Sequence, residues 1–472
     1  MVMRRAFKTI LPTLFVVPSL YAEQATTFSP TTLTLEEAVE RALQYNEGIL
    51  LARYGVREAE AGVTVARAEF LPRISLQASY ARLAELPAFE MAMPEYGSLQ
   101  LPVFGLTGDT IGFTVVPGVV GADTLEFQMG EEENYLGRAS LQQPLFTWGK
   151  ILTGYQISSL NLKAVREDYR KTESQLVLGV TKSFYAALSL EQLVRLMEDA
   201  KEQAARHVEA VEKRYEAGLA SRFDLLRARV QLANMEPQVA QVRNGLELAL
   251  TGLKALLGFP QDVPLTLRGE LKYEPIEVDL AQSLVKARVS RPEVTALMLR
   301  KSIASKALSI ARKANWPNVA LIANYDYKKP VYFENEWGTD WSVGIALEMP
   351  LFTGFGNLGR TGQARARLHQ AEHALKLLEQ STELEVRSAC LQLEQAERLA
   401  ESQKENVAQA EEALRIAEDR YEIGLATSLE VMDTQLAVTR AKTNYLQSLS
   451  EHLIAKAELR RATGEQLRLK ED

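Results

Sequence analysis

Two exceptionally long stretches without proline constrain this chain more than any other feature. Residues 150–217 and 356–423 contain no proline and little glycine. They are rich in Ala, Leu, Glu, Gln, Lys and Arg, the residues that most favour the α-helix. Because an α-helix rises 1.5 Å per residue, each stretch predicts a helix of about 100 Å. A globular domain has no core of that length. A solitary coiled coil could contain helices this long, but it would not explain the rest of the chain.

Each long stretch ends in a short segment that occurs twice, at residues 214–226 and 420–432. In both copies Arg-Tyr-Glu is followed by a glycine, Gly218 or Gly424, where a helix end favours positive φ. A capping-box pair then predicts the start of the next helix: Ser221 with Asp224, and Thr427 with Glu430. Each segment therefore predicts a tight turn, with return helices at about 221–257 and 427–462.

The turn belongs to an internal repeat that covers most of the chain. Residues 34–39 match 279–284, and Pro-Leu-Phe-Thr occurs at both 144–147 and 350–353. The offset between copies falls from 245 to 206 because the first copy has a longer loop. The predicted boundaries are a first repeat at 23–257, a linker at 258–278, a second repeat at 279–464 and a tail at 465–472.

The N-terminus has the pattern of a targeting segment. Arg4, Arg5 and Lys8 precede an apolar run at 10–21, so we expect residues 1–22 to be a secretory signal peptide. Without its three basic residues the net charge falls from −7 to −10, which argues against a nucleic-acid partner. The lone Cys390 excludes an internal disulfide framework and a cysteine-based zinc site. An exported chain without an apolar helix of membrane length is periplasmic, secreted, or in the outer membrane as strands.

Four runs of roughly ten residues alternate apolar and polar side chains, with aromatic residues near their ends. They lie at about 73–83, 134–145, 318–328 and 340–349. This pattern is typical of transmembrane barrel strands, although a half-buried sheet of a soluble domain has the same period; the signal peptide favours the membrane. Four strands cannot close a barrel, and lipid does not tolerate open sheet edges. The strands therefore predict an oligomer: two chains would supply eight strands, and three would supply twelve around a lumen.

Together these features resemble the TolC-type outer-membrane efflux protein family, over the whole mature chain. The duplicated Gly-Leu-Ala-Ser/Thr-x-x-Asp/Glu turn, the Pro-Leu-Phe-Thr junctions and the paired repeat carry the resemblance. It implies an α+β membrane protein: a homotrimer whose 12-stranded outer-membrane β-barrel, with four strands per chain, continues as a long periplasmic α-helical barrel. The linker at 258–278 would then lie at the equator of the helical part.

The resemblance also implies a function. The chain would be the passive exit duct of a tripartite efflux pump or type I secretion system, without cofactor, metal or catalysis. Its partners would be outer-membrane lipid, a periplasmic adaptor protein and an inner-membrane transporter. A periplasmic coiled-coil scaffold or adaptor without a pore is the alternative.

The same resemblance assigns roles to residues at the two turns. Adaptor docking would fall on Gly218, Leu219, Ser221, Gly424, Leu425 and Thr427. A gate would involve contact of Tyr421 with Asp224 and an acidic ring at Glu430 and Asp433. Ala426 stands where well-studied members have arginine, so a salt-bridged latch is not expected. The alternatives are an ordinary helical hairpin, a purely capping role for Glu430 and a solvated helix face for Asp433.

Two other segments leave questions open. Residues 369–373 have the H-x-x-E-H spacing of a zinc peptidase, but the equivalent stretch of the first repeat has neither histidine, which favours a solvated helix. The loop at about 84–133 is long and apolar in patches. An extracellular cap, a plug or a contact for hydrophobic cargo would all fit it.

Overall fold

The computed structural model describes residues 31–86, 88–104, 106, 108–128, 130–331 and 334–465. The signal peptide expected at 1–22, and all of the tail beyond Glu465, lie outside the described residues. Among the residues described, no helix is both long and apolar enough to cross a membrane.

In the described chain, pairs of consecutive helices alternate with groups of one to four strands. The helices are α1 (Leu35–Tyr45), α2 (Glu47–Ala68), α3 (Lys150–Glu216), α4 (Arg222–Leu257), α5 (Leu280–Ser290), α6 (Pro292–Arg312), α7 (Gly356–Glu422) and α8 (Ser428–Ala462). The strands are β1 (Thr31–Leu33), β2 (Arg73–Arg82), β3 (Ala88–Phe104), β4 (Thr110–Gln128), β5 (Glu133–Phe146), β6 (Leu265–Leu267), β7 (Asn318–Lys329) and β8 (Gly338–Glu348).

The two long helices are the largest elements. α3 and α7 each contain 67 residues and begin 206 positions apart, at Lys150 and Gly356. Each packs along its return helix, α3 on α4 and α7 on α8, and α3 also packs on α8. The two helical hairpins of one chain therefore lie side by side.

Each long helix starts from a strand through two consecutive residues with positive φ. These are Trp148 (φ 54°) and Gly149 (φ 75°) before α3, and Gly354 (φ 57°) and Phe355 (φ 65°) before α7. Left-handed backbone is uncommon outside glycine, yet both junctions combine one glycine with one aromatic residue, in opposite order. The aromatic residue is held in this conformation at the point where the sheet meets the helices.

β2, β5, β7 and β8 form one antiparallel sheet, in that order. Its register aligns like side chains across all four strands. The row Ile74–Leu141–Ala323–Val343 and the row Leu76–Ala139–Tyr325–Trp341 lie on one face; Gln77–Arg138–Asp326–Asp340 lies on the other. The alternation predicted from the sequence thus produces one apolar and one polar face.

Aromatic clusters lie at both ends of this sheet. At one end Tyr135 lies 4.9 Å from Tyr80 and 5.6 Å from Trp337, between ring centroids. At the other end Trp148 lies 4.9 Å from Phe146 and 5.1 Å from Trp316. Aromatic residues at both borders of an apolar band are typical of strands that cross a bilayer.

The segment at 84–133, treated as a loop from the sequence, contains a long β-hairpin. β3 and β4 pair antiparallel from Ala88↔Gln128 to Phe104↔Thr110. Pro94, Pro102 and Pro117 are tolerated because both strands of a two-stranded hairpin are edges, where a missing N–H can face outward. The linker predicted at 258–278 contains β6, which pairs in parallel with β1.

Candidate functional site

The two interhelical turns have nearly the same backbone geometry. In the first, Gly218 has a φ of 78°, and the Leu219 N–H donates to the Arg214 carbonyl at 2.8 Å. In the second, Gly424 has a φ of 80°, and the Leu425 N–H donates to the Arg420 carbonyl at 2.8 Å. Both glycines thus end a helix in the left-handed conformation that the sequence predicted.

Both capping boxes predicted from the sequence are present. The Asp224 N–H donates to Ser221 Oγ at 3.1 Å, and the Ser221 N–H donates back to the Asp224 carboxylate at 3.1 Å. The Glu430 N–H donates to Thr427 Oγ1 at 3.3 Å, and the Thr427 N–H to Glu430 Oε1 at 3.4 Å. Local hydrogen bonds therefore specify both helix starts.

Apolar side chains project from both turns. Leu219 is 79% exposed and Leu425 is 67% exposed in the single chain. A Cβ atom added to Gly218 or Gly424 would meet nothing beyond its chain neighbours within 4 Å. The six residues assigned to docking therefore lie at two accessible turns, and each turn presents one leucine beside a glycine.

The four residues assigned to the gate do not form one cluster within the chain. The Asp224 carboxylate bonds its own cap residue Ser221, and among the described residues no hydrogen bond joins it to Tyr421. Glu430 is exposed and bonds Thr427 at its cap, and Asp433 is exposed one turn further along α8. The spacing of three residues keeps these two carboxylates on one side of α8.

Tyr421 contacts the first hairpin through two other residues, which the sequence analysis did not select. The Arg214 guanidinium lies 4.2 Å from the centre of the Tyr421 ring and also donates to the Glu422 carbonyl at 3.2 Å. The His207 ring lies 5.8 Å from the Tyr421 ring. Arg214 thus joins α3 to the end of α7 by a cation–π contact and a hydrogen bond.

His207 completes this connection between the hairpins. Its Nε2 lies 2.9 Å from Oγ of Ser428, the first residue of α8, and both side chains are buried. Val211, one turn further along α3, belongs to an apolar cluster with Leu225 and Met432. We call His207, Arg214, Tyr421 and Ser428 the inter-hairpin junction. Its only sequence signal is a break in the repeat, because Ala413 and Arg222 stand at the positions equivalent to His207 and Ser428.

The H-x-x-E-H stretch lies in the first third of α7, with both histidines exposed. His369 Nδ1 lies 3.1 Å from Glu372 Oε2, a contact that lowers the pKa of the Glu372 carboxyl. Within the described ranges, no three His, Cys, Asp or Glu side chains are grouped so that they could hold a metal ion.

Residues 38–259 and 283–465 match the family described as "Outer membrane efflux protein". The chain belongs to this family. Membership places it in the outer membrane, as an exit duct of efflux or secretion systems, in a family of channels rather than enzymes. The CyaE protein of Bordetella pertussis is 25% identical over 434 residues, which cover 91% of this chain and 82% of CyaE. The pyoverdine export outer membrane protein OpmQ of Pseudomonas putida is 23% identical, over 91% of this chain and 85% of OpmQ.

Solved structures share the fold of this efflux-family chain. The outer membrane protein VceC of Vibrio cholerae superposes with a TM-score of 0.70 at 20% identity, covering 91% of this chain and 96% of VceC. The CmeC outer membrane channel of Campylobacter jejuni gives a TM-score of 0.73 at 15% identity, covering 93% of this chain and 87% of CmeC.

Proposed function

We propose that three copies of this chain form one passive duct, with a 12-stranded barrel in the outer membrane and a helical tube in the periplasm. The observation that carries the proposal is the four-stranded sheet, whose edge strands β2 and β8 each pair with only one strand among the described residues. Its apolar face, with Leu76, Trp341 and Ile345, is exposed in the single chain. Lipid would cover this face, and lipid requires the sheet edges to be paired.

The polar face of the sheet supports a water-filled interior. Arg138 and Asp326 form a two-point ion pair on this face, with Nε–Oδ1 at 2.7 Å and Nη2–Oδ2 at 2.8 Å. Such a pair is compatible with a hydrated lumen and unfavourable against hydrocarbon. Twelve strands would leave a lumen, whereas eight strands would fill with their own side chains.

The repeat supplies a second reason to expect neighbouring copies. Met432 on α8 is only 9% exposed, and it belongs to a cluster that includes Val211 of α3. Its equivalent on α4, Leu226, is 50% exposed and continues an apolar stripe with Phe223 and Val230. A neighbouring chain whose α7 packed on α4, as α3 packs on α8, would cover this stripe. Three chains arranged in this way would close a ring of six hairpins.

This arrangement predicts which residues meet between chains. Ala413 and Arg222, the repeat equivalents of His207 and Ser428, are exposed in one chain and should be adjacent across two. In a Cys390→Ser background, Ala413→Cys with Arg222→Cys should give covalent dimers and trimers with a short bifunctional thiol reagent. The matched pair His207→Cys with Ser428→Cys should cross-link within one chain and keep the single-chain mass. A monodisperse monomer by light scattering in mild detergent would contradict the trimer.

The turns would form the periplasmic end of the duct. The six docking residues at the two turns would contact a periplasmic adaptor protein that joins the duct to an inner-membrane transporter. Tyr421, Asp224, Glu430 and Asp433 would belong to the gate, together with the inter-hairpin junction. Glycine allows the close approach of another backbone, and the neighbouring exposed leucines offer apolar anchors.

Planar-bilayer recording tests the duct directly. Purified protein should conduct ions in discrete steps, because a trimeric barrel adds one pore at a time. Solubility without detergent together with no conductance would instead favour a periplasmic scaffold without a pore.

A further inference from the structure

Among the four residues of the inter-hairpin junction, His207 is the one whose side chain can change its charge near neutral pH. We propose that protonation of His207 loosens the contact between the two hairpins and thereby favours the open state of the periplasmic end. The proposal rests on the duct function proposed above, whose gate it would regulate. It is carried by the burial of the ring between two hairpins, where no carboxylate of the described residues is paired with it.

The groups around His207 are almost all uncharged. Besides Ser428, the nearby cavity-lining side chains are neutral on α3, α4 and α8: Gln203 and Ala204, then Ala228, Gln231 and Met235, then Met432 and Gln435. α7 presents the Tyr421 ring. Arg214 is the charged group whose field acts on His207, and it has the same sign as a protonated imidazole. An imidazolium at this position would therefore be buried without a counter-ion.

The acidic residues nearby in sequence are engaged elsewhere or exposed. On α3, Glu209 pairs with Lys213 and Glu212 pairs with Arg229. On α8, Glu430 bonds Thr427 at the helix cap. Glu418 and Glu422 of α7 are exposed. No carboxylate among the described residues is paired with the His207 ring, so no ion pair offsets its charge.

Water can deliver the proton. A cavity of about 40 Å³ lies against His207, between α3, α4 and α8. It has room for roughly two or three water molecules. Glutamine and threonine side chains on its wall (Gln203, Gln231, Gln238, Gln435 and Thr439) can hydrogen-bond them.

The direction of the pH effect follows from the environment. Burial, and secondarily the charge of Arg214, lower the pKa of His207 in the closed junction. In an opened junction the ring would regain water, and its pKa would return towards its ordinary value of about 6.5. The closed contact is therefore fully stable above that value, and it is lost as the pH falls through and below it.

In the proposed assembly of six hairpins, only the three contacts within a chain would respond to pH; the three contacts between chains would not. The equivalent contact between chains has Ala413 in place of His207 and Arg222 in place of Ser428. A trimer would thus contain three proton-sensitive junctions, one inside each chain. Acidification would release each first hairpin from the second hairpin of its own chain, while contacts between chains stay in place.

The test measures conductance and junction distance together, at pH 7.5 and pH 5.5, above the ordinary range of carboxyl titration. Spin labels at Leu219→Cys and Leu425→Cys, in the Cys390→Ser background, report the separation of the two turns. We expect a conductance rise of roughly threefold or more on acidification, with a longer distance between labels. His207→Gln, which retains a donor for Ser428 but cannot titrate, should keep the values of pH 7.5 at both pH values.

Two further variants sharpen the test. His207→Arg, with a permanent charge, should be open at both pH values. His369→Gln, at an exposed position in the first third of α7, is the matched control and should respond to pH like the parent. A pH response that persists in His207→Gln would overturn the proposal, as would a parent whose label distance does not change. If no variant conducts at any pH, the duct function fails, but the label distances still decide the role of His207.

Discussion

Gly424→Trp is expected to abolish export while leaving trimers intact. Gly424 has a φ of 80° and lies at an exposed turn, where an added Cβ atom would meet nothing beyond its chain neighbours within 4 Å. We expect the larger indole to project from this open position into the space that a docking adaptor would need. Positive φ costs a non-glycine residue about 1–2 kcal/mol, and because α7 packs along α8 well beyond this turn, the hairpin should still form. Cells with the variant should show the drug resistance or secretion of cells without the protein, with trimers still recovered from the membrane.

Two smaller substitutions separate bulk from backbone strain. Gly424→Asn fills little space and tolerates the left-handed conformation, so export should be near the parent level. Gly424→Ala carries the backbone strain without the bulk, so its loss of export should be partial at most. If alanine were as harmful as tryptophan, strain in the turn, rather than obstruction of a partner, would explain the loss. Normal export by the tryptophan variant would exclude docking at this turn.

The second large effect is expected on ion selectivity. Glu430→Gln combined with Asp433→Asn should remove the preference of the pore for cations. In a trimer these residues would place six carboxylates near a narrow axis, and rings of carboxylates attract cations and repel anions. The reversal potential in a salt gradient, measured in planar bilayers, should move from a value that indicates cation selectivity towards zero.

The single variants should differ, because the two carboxylates have different neighbours. Glu430 bonds the Thr427 N–H and hydroxyl at the helix cap, so its charge is partly directed at the turn. Asp433 is exposed one turn later. Asp433→Asn alone should therefore reduce selectivity more than Glu430→Gln alone. Unchanged selectivity in the double variant would mean that this face of α8 does not line the pore.

The long helices and the turns could be predicted because their determinants are local. Composition over 67 residues specifies α3 and α7 without reference to the rest of the fold. The glycine and capping-box residues of each turn lie within a few positions of one another. The same holds for β2, β5, β7 and β8, where strict alternation marks both the strand and its two faces.

What sequence reasoning missed depends on distant or irregular pairing. In β3 and β4 the prolines, with Gly97 and Gly118, interrupt the alternation that would have marked two strands. The contact of His207 with Ser428 spans 221 positions and joins different hairpins. Both residues lie in ordinary helical sequence, so only the comparison of the two repeats could have singled them out.

The pairing of β1 with β6 makes the linker a structural part of the first half of the chain. Thr31 lies opposite Leu265, and the Arg268 N–H donates to the Leu33 carbonyl at 2.8 Å. Leu33 shares one apolar core with Phe184, Leu257 and Leu265. A nascent chain that ended at residue 257 would leave the start of the first half without its strand partner and with a gap in that core. The apolar core of the first half is therefore complete only when the linker is present.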